Sequence, residues 1–218
     1  MGKTVSSACP RDPGESDLPP PNAFSLYAQD NTAGGGRKYL NHDERRRVLA
    51  GSATLERRHA LFVLVLAWTG ARVSEILALT PRAIQVERSL IAIVTLKRRR
   101  WSVREVPIPP ELMRSLEKEF SLPVAQRDPE HCNTRLWPMH RVTAWRCVKH
   151  VMAVASVSGR AACPRGMRHA FGVGIVHAGI PITLLQRWMG HARLSSTAIY
   201  ATASGPEELA MAKKYWDS

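Results

Sequence analysis

Apolar positions are sparse and without period over residues 1–36, helical in spacing from Lys38 onward, alternating between Ile84 and Ile108, and helical again beyond. The first stretch is punctuated by Pro19-Pro20-Pro21 and Gly34-Gly35-Gly36. A segment with so little apolar surface cannot offset the entropy of ordering itself. Residues 1–37 are therefore read as a disordered Pro/Gly-rich arm, and 38–218 as one folded domain.

Within that domain the first helix is predicted to start where Asn41 can cap it, with Glu44 three residues later and Val48 and Leu49 after Arg45-Arg46-Arg47. Leu55 to Trp68 is apolar over most of its length, which predicts a buried helix ended by Gly70, and a further helix follows from Val73 to Leu79. The period then shortens to that of strands at Ile84 to Val86, Leu90 to Leu96 and Val103 to Ile108, a small antiparallel sheet. Pro109 and Pro110 open a helix to Phe120, Arg127 to Asn133 reads as loop, and Val142 to Val157 as a long helix with Trp145 and Val148 on its apolar side. Past Pro164 come an apolar helix opened by Arg168 and His169, a short helix stopped by Gly190, and, after Tyr200, a last helix from Glu207 to Tyr215. The fold class expected is α+β, mainly helical, with a small antiparallel β-sheet.

Composition narrows the function classes. Apolar residues at 44% and charged residues at 22% suit a soluble globular chain. The longest apolar run, Ala60 to Trp68, is too short to span a bilayer, and the first thirty residues hold no signal-peptide core. A cytoplasmic location with no membrane partner is expected. Four cysteines without C-x-x-C spacing indicate neither a zinc site nor a disulfide framework. Charge changes the picture most: 31 Lys and Arg against 18 Asp and Glu give +13. Residues 1–36 carry two cations against four carboxylates, so the excess belongs to the folded part. A polyanion is the natural partner, although charge alone leaves DNA, RNA, anionic lipid and a merely solvated cationic surface open.

The candidate chemistry is an order of residue types. Arg72, Lys97 in a strand turn with Arg98, Arg99, Arg100 and Trp101 beside it, Arg168 with His169, His191 and Tyr200 follow one another along the chain. A tyrosine attacking a phosphodiester needs permanent positive charge beside phosphorus and an imidazole for proton traffic. Singly each residue has a plainer explanation, such as an exposed arginine, a rim aromatic or a histidine after a glycine stop. Gly172-x-Gly174 lacks the third glycine and preceding strand of a dinucleotide fingerprint and is discarded.

Quoted in full, Thr69-Gly70-Ala71-Arg72-Val73-Ser74-Glu75, Lys97, Arg165-Gly166-Met167-Arg168-His169, Met189-Gly190-His191 and Tyr200, with Leu136-Trp137-Pro138 before the long helix, resemble the catalytic domain of the tyrosine recombinases, the phage integrase family. The resemblance covers about residues 38 to 216 and departs from the family at Arg165, where histidine is usual. It implies a site-specific recombinase or integrase that cuts and rejoins double-stranded DNA through a 3′-phosphotyrosyl intermediate, with no cofactor. Tyr200 would be the nucleophile, Arg72 and Arg168 would grip the scissile phosphate, and Arg165 would add a fixed cationic ligand. Lys97 would protonate the departing 5′ oxygen, while His191 would support the phosphate and proton transfer. Glu75 would orient the arginines, His169 would be support rather than catalyst, and Arg98, Arg99 and Arg100 would meet the DNA backbone.

The resemblance also implies a homotetramer on two DNA sites. The arm is too short for the family's N-terminal clamp of helices, so a helper protein is an expected partner. Two other readings stand beside this one: a type IB topoisomerase, and a noncatalytic DNA-binding regulator in which Ile182–Met189, a Gly turn and Ser195–Ala201 form a helix-turn-helix.

Overall fold

A computed structural model describes residues 38–95 and 102–201, together with Lys213 and Trp216, all within the unit Gly36–Ser218. The expected arm and the cluster from Lys97 to Arg100 lie outside the described residues. So does the predicted last helix, apart from the helical Lys213.

Helix α1, His42–Gly51, begins as its capping residues dictate. Asn41 Oδ1 accepts from the Glu44 amide at 2.8 Å and Glu44 Oε2 accepts from the Asn41 amide at 2.9 Å. Helix α2, Arg57–Thr69, starts two residues later than the apolar pattern suggests, because the Glu56 carboxylate accepts from the amides of Arg58 and His59 and so defines the end. It is buried on nearly every face, with Phe62, Val63 and Val65 fully enclosed. Gly70 stops it in the left-handed conformation, φ 59°. Helix α3, Val73–Leu77, is two residues shorter than expected, since Leu79 leaves the helix to accept from the Leu136 amide at 2.9 Å.

Three strands follow, β1 Ile84–Gln85, β2 Leu90–Val94 and β3 Val103–Pro107, antiparallel in the order β1-β2-β3. The register sets Ile91 against Val106 and Ile93 against Arg104. One face of β2 and β3 is buried, and on β3 that face consists of Arg104 and Val106. A charged residue thus holds a core position.

Helix α4, Pro110–Phe120, buries Leu112, Met113 and Leu116. Helix α5, Leu122–Arg127, fills the stretch after Phe120 without an expected element and takes in Arg127, the first residue of the expected loop. It is pinned by Gln126, whose side-chain amide donates to the carbonyls of Pro81 and Ile84 at 2.9 and 2.7 Å. Helix α6, Arg141–Val154, buries Ala144, Cys147, Val148, Val151 and Met152. Trp145 was expected on that face and is not there. It lies off the stripe, 47% exposed, with Lys149 Nζ 5.8 Å from its ring centroid. The helix ends before Val157 because the Val157 amide folds back to Met152 O at 2.8 Å and Ser156 takes φ 54°.

Helices α7, Pro164–His177, α8, Ile182–Met189, and α9, Ser195–Ala201, complete the described chain. Phe171, Val173, Leu185, Met189 and Tyr200 form a second apolar cluster where these three meet. Among the described residues no helix is long and apolar enough to cross a membrane.

Gly70 tests how α2 and α7 are joined. An added Cβ would overlap the Phe171 ring on a backbone already at positive φ. Gly70→Ala should therefore cost more than the ~1–2 kcal/mol of the left-handed conformation alone. Urea unfolding reads this as a lower midpoint with unchanged slope, and a loss no larger than that of the left-handed conformation would mean that Phe171 is free to move aside.

Candidate active site

Four separate elements deliver the candidate residues. Arg72 caps α3 directly after the Gly70 turn, Arg165, Arg168 and His169 stand on α7, His191 follows the Gly190 turn that ends α8, and Tyr200 lies on α9. Together with Arg141 at the start of α6, these residues line one cleft of about 450 Å³. Lys97, Arg98, Arg99 and Arg100 lie outside the described residues. A second hollow of about 420 Å³, between Leu40, Trp68 and Phe171, is mainly apolar and offers no such convergence of cations with a nucleophile.

Arg168 is fixed by its surroundings before any ligand arrives. Its Nη1 donates to Gly70 O at 2.6 Å, and its Nη2 to Met189 O at 2.8 Å and to His191 Nε2 at 3.0 Å. Guanidinium only donates and has five N–H groups, so two are left for an anion among the described residues. Burial, then the charge of Arg72, lowers its pKa to about 10, which still leaves it protonated at neutral pH.

Because Arg168 can only donate, His191 Nε2 must accept. A neutral ring then carries its proton on Nδ1, which faces Thr197 Oγ1 at 2.9 Å. Burial and the neighbouring charges of Arg168 and Arg72 lower the His191 pKa to about 4, so the imidazole is neutral at pH 7. Tyr200 is 4% exposed. Its ring stacks on that of His191 with an interplanar angle of 8°, and its hydroxyl meets His169 Nδ1 at 3.1 Å. Burial raises the Tyr200 pKa, while Arg168 and Arg72 pull the other way. The His169 pKa is lowered by burial and by Arg168, Arg165 and Lys38.

Beneath the cleft lies a buried ionic network. Glu75 is 2% exposed. Its Oε1 accepts from Arg72 Nη1 at 2.8 Å, and its Oε2 accepts from the Arg72 amide at 2.9 Å and from Arg104 Nη2 at 2.6 Å. Arg104 also donates to Thr95 Oγ1 at 2.9 Å and to Trp188 O at 2.7 Å. Burial raises the pKa of Glu75, but the hydrogen bonds and charges of Arg104 and Arg72 outweigh it, so the net direction is down. Gly190 is needed here twice over. Its φ is 65°, and a Cβ would come within 3.1 Å of Arg104 Nη1 and Thr95 Oγ1.

Sequence reasoning missed Arg104, Arg141, Thr197 and Gly172. Alternation along β3 carried a signal for Arg104, which shares the inward register of Val106. For Gly172 the signal appears only in space, since a Cβ there would stand 2.7 Å from the Tyr200 ring. The absent side chain is what lets the tyrosine lie against α7. Nothing local marked Arg141 or Thr197.

Residues 38–205 match the family model described as the phage integrase family. The tyrosine recombinase XerD of Yersinia pestis is 28% identical over 152 residues, 67% of this chain and 50% of that protein. XerA of Thermococcus kodakarensis is 30% identical over 173 residues, 75% of this chain and 57% of that protein. The chain thus spans about half the length of the curated relatives it matches. Among solved structures, the XerA recombinase superposes with a TM-score of 0.64 at 24% identity, covering 82% of this chain and 62% of that one. The catalytic domain of bacteriophage HP1 integrase gives 0.57 at 22% identity, covering 81% and 94%. The fold is the mainly helical α+β fold of tyrosine recombinase catalytic domains, small antiparallel sheet included.

The lowered His191 pKa makes a pH prediction with a definite sign. The folded state binds this proton less readily than the unfolded chain, whose histidines titrate at about 6.5. The stabilisation is therefore complete above that value and is lost as pH falls from about 6.5 through about 4. The urea midpoint should fall between pH 7 and pH 5, and His191→Gln should flatten that fall relative to the unmodified chain. An equal fall in both would assign the titration to another group.

Proposed function

The chain belongs to the phage integrase family, and on that footing we propose that residues 38–218 form a catalytic domain that cuts and rejoins double-stranded DNA through a 3′-phosphotyrosyl bond to Tyr200. The observation that carries this is the convergence of Arg72, Arg168 and His191 with the Tyr200 phenol in one cleft. A scissile phosphate there takes the two unused N–H groups of Arg168 and the exposed side of Arg72, whose side chain is 30% accessible. Guanidinium forks match phosphate oxygens and hold them more strongly as charge builds in the transition state. The phosphate also offsets the mutual repulsion of the cations and relieves the depression of the Arg168 and His191 pKa values.

Lys97 carries the proton to the departing 5′ oxygen, and Arg98, Arg99 and Arg100 follow the DNA backbone beside it. Arg165 is exposed on the first turn of α7 and lines the same cleft, which supports its role as a third cationic ligand. The phosphotyrosyl bond keeps the energy of the cut strand, so rejoining needs no external supply. Two duplexes have four strands, and each exchange consumes one tyrosine per strand, which favours a homotetramer on two sites. The noncatalytic reading fits less well. Leu185 and Met189 on α8 and Thr197 and Tyr200 on α9 are buried, so neither helix has these faces free for a DNA groove. A topoisomerase would not join its product to a second duplex, and that joining is the discriminating assay.

A nicked suicide substrate tests the nucleophile. Tyr200→Phe should abolish the protease-sensitive covalent adduct while leaving DNA affinity unchanged, since only the attacking oxygen is removed. An adduct retained by Tyr200→Phe would move the nucleophile elsewhere, with Tyr215 next in line.

Arg165→Ala should raise the cleavage barrier by on the order of 2–4 kcal/mol, by analogy with loss of one donor to a developing oxyanion. Arg165→His should recover much of the rate and lose it again as pH rises through the histidine pKa, because a neutral imidazole no longer carries charge. Cleavage by Arg165→Ala at the unmodified rate would take the residue out of the site.

A further inference from the structure

The expected division of labour leaves one proton unaccounted for. Tyr200 must lose its phenolic proton as it attacks, and the residue is only 4% exposed, so a neighbouring side chain is the natural acceptor. His191, the imidazole given that traffic on sequence grounds, is badly placed to receive it. Its Nε2 lone pair is taken by Arg168 at 3.0 Å and its Nδ1 faces Thr197 at 2.9 Å. Its ring lies parallel to that of Tyr200, which keeps its in-plane lone pairs from pointing at the phenol ring. The partner of the Tyr200 hydroxyl among the described residues is His169 Nδ1, at 3.1 Å.

We propose that His169 is a catalytic residue of this chain, the general base that takes the Tyr200 proton on cleavage and returns it on rejoining. The assignment rests on the reading of Tyr200 as nucleophile. In the tautomer with hydrogen on Nε2, the Nδ1 lone pair faces the hydroxyl. As the phenol oxygen forms its bond to phosphorus, its proton passes to Nδ1 and the ring becomes imidazolium. The bond from phosphorus to the 5′ oxygen breaks, and that oxygen keeps the electron pair and takes a proton from the general acid, Lys97. On rejoining, the 5′ hydroxyl attacks phosphorus and returns its proton to Lys97, the bond to Tyr200 breaks, and His169 gives its proton back to the phenolate.

The helix supports this arrangement at three successive levels. Arg165 and His169 are four residues apart on α7, so the imidazole stands one turn beyond the cation and on the same face. Gly172, a further turn along, leaves the slot into which the Tyr200 ring packs. The groups around the imidazole are Arg165 and Arg168 on α7, Lys38 ahead of α1, His191 after α8 and Tyr200 on α9. The arginines and the lysine are cationic, so they favour the neutral ring, which at pH 7 is the form a base requires.

The test is single-turnover adduct formation on a nicked duplex by the full chain from pH 5 to pH 9, with His169→Asn beside the unmodified protein. Asparagine keeps an amide oxygen where Nδ1 stood, so it can hold the hydroxyl but cannot take its proton. The unmodified rate should rise from acid pH to a plateau. His169→Asn should lose at least about 100-fold, the low end for general-base catalysis, and should lose the acid limb as well. Replacing the tyrosines with a fluorinated, more acidic analogue should restore rate to His169→Asn and do little for the unmodified chain. Cleavage by His169→Asn at the unmodified rate overturns the assignment. A slow variant that keeps the acid limb and ignores fluorination overturns it too, because that is the behaviour of a purely structural residue. Absence of any adduct from the unmodified chain overturns the nucleophile reading and this one with it. Should the variant fail to fold, nitrogen NMR of the unmodified protein decides: hydrogen on Nε2 of His169 is expected, and hydrogen on Nδ1 overturns the proposal.

Discussion

The Glu75 carboxylate, shared between Arg72 and Arg104, is the interaction on which the rest of the site depends. It is a buried anion held by three N–H groups, and one of its partners, Arg104, is itself only 4% exposed. Two such charges are costly to dehydrate, and their mutual attraction offsets the cost only when every donor and acceptor is matched. Here the matching ties three elements together. Arg104 brings β3, its bond to Thr95 secures the residue that follows β2, and its bond to Trp188 O fixes the C-terminal end of α8 just before His191. Loss of Glu75 would leave a guanidinium in the core with no counter-charge. Breaking a buried pair in this way typically costs about 3–5 kcal/mol, and the cleft above would lose the orientation of Arg72.

Above that network the cleft is assembled against its own electrostatics. Arg168 feels the charge of Arg72, and the depressed values at Arg168 and His191 register burial first and the neighbouring cations second. In the proposed reaction a phosphodiester relieves that depression. The donors are already anchored, Arg168 by the backbone carbonyls of Gly70 and Met189 and Arg72 by the Glu75 carboxylate. Little reorganisation is left for the reaction step, which is where preorganised dipoles and charges gain their effect.

Two glycines make the close approaches possible. Gly190 passes beside Arg104 and Thr95 in a conformation that a side chain would strain, so His191 emerges directly over the ionic network. Gly172 removes the one Cβ that would hold the Tyr200 ring away from α7, and so sets the distance between the phenol and His169. Both act on placement alone and contribute no chemistry.

Much of this was legible in the sequence wherever the deciding interactions lie within a few residues. The Asn41 and Glu44 cap, the left-handed stops at Gly70 and Gly190 and the period change at Ile84 all follow from local rules, and the tertiary structure leaves each in force. Arg72, Arg168, His191 and Tyr200 are picked out by their order and by resemblance, and the fold brings them to one cleft. Packing between distant segments decided the rest. Trp145 falls outside the buried stripe of α6 by one position, α5 is held by carbonyls from the Pro81 turn and β1, and Arg141 reaches a cleft built from helices far along the chain. Arg104 became a core residue only once register set it opposite Ile93. The protonated nitrogen of His191 and the partner of the Tyr200 hydroxyl depend on which groups α7, α8 and α9 bring within about 3 Å of one another. A hydrogen bond has that range in space and no fixed range along a sequence, and so these features were decided by the tertiary structure alone.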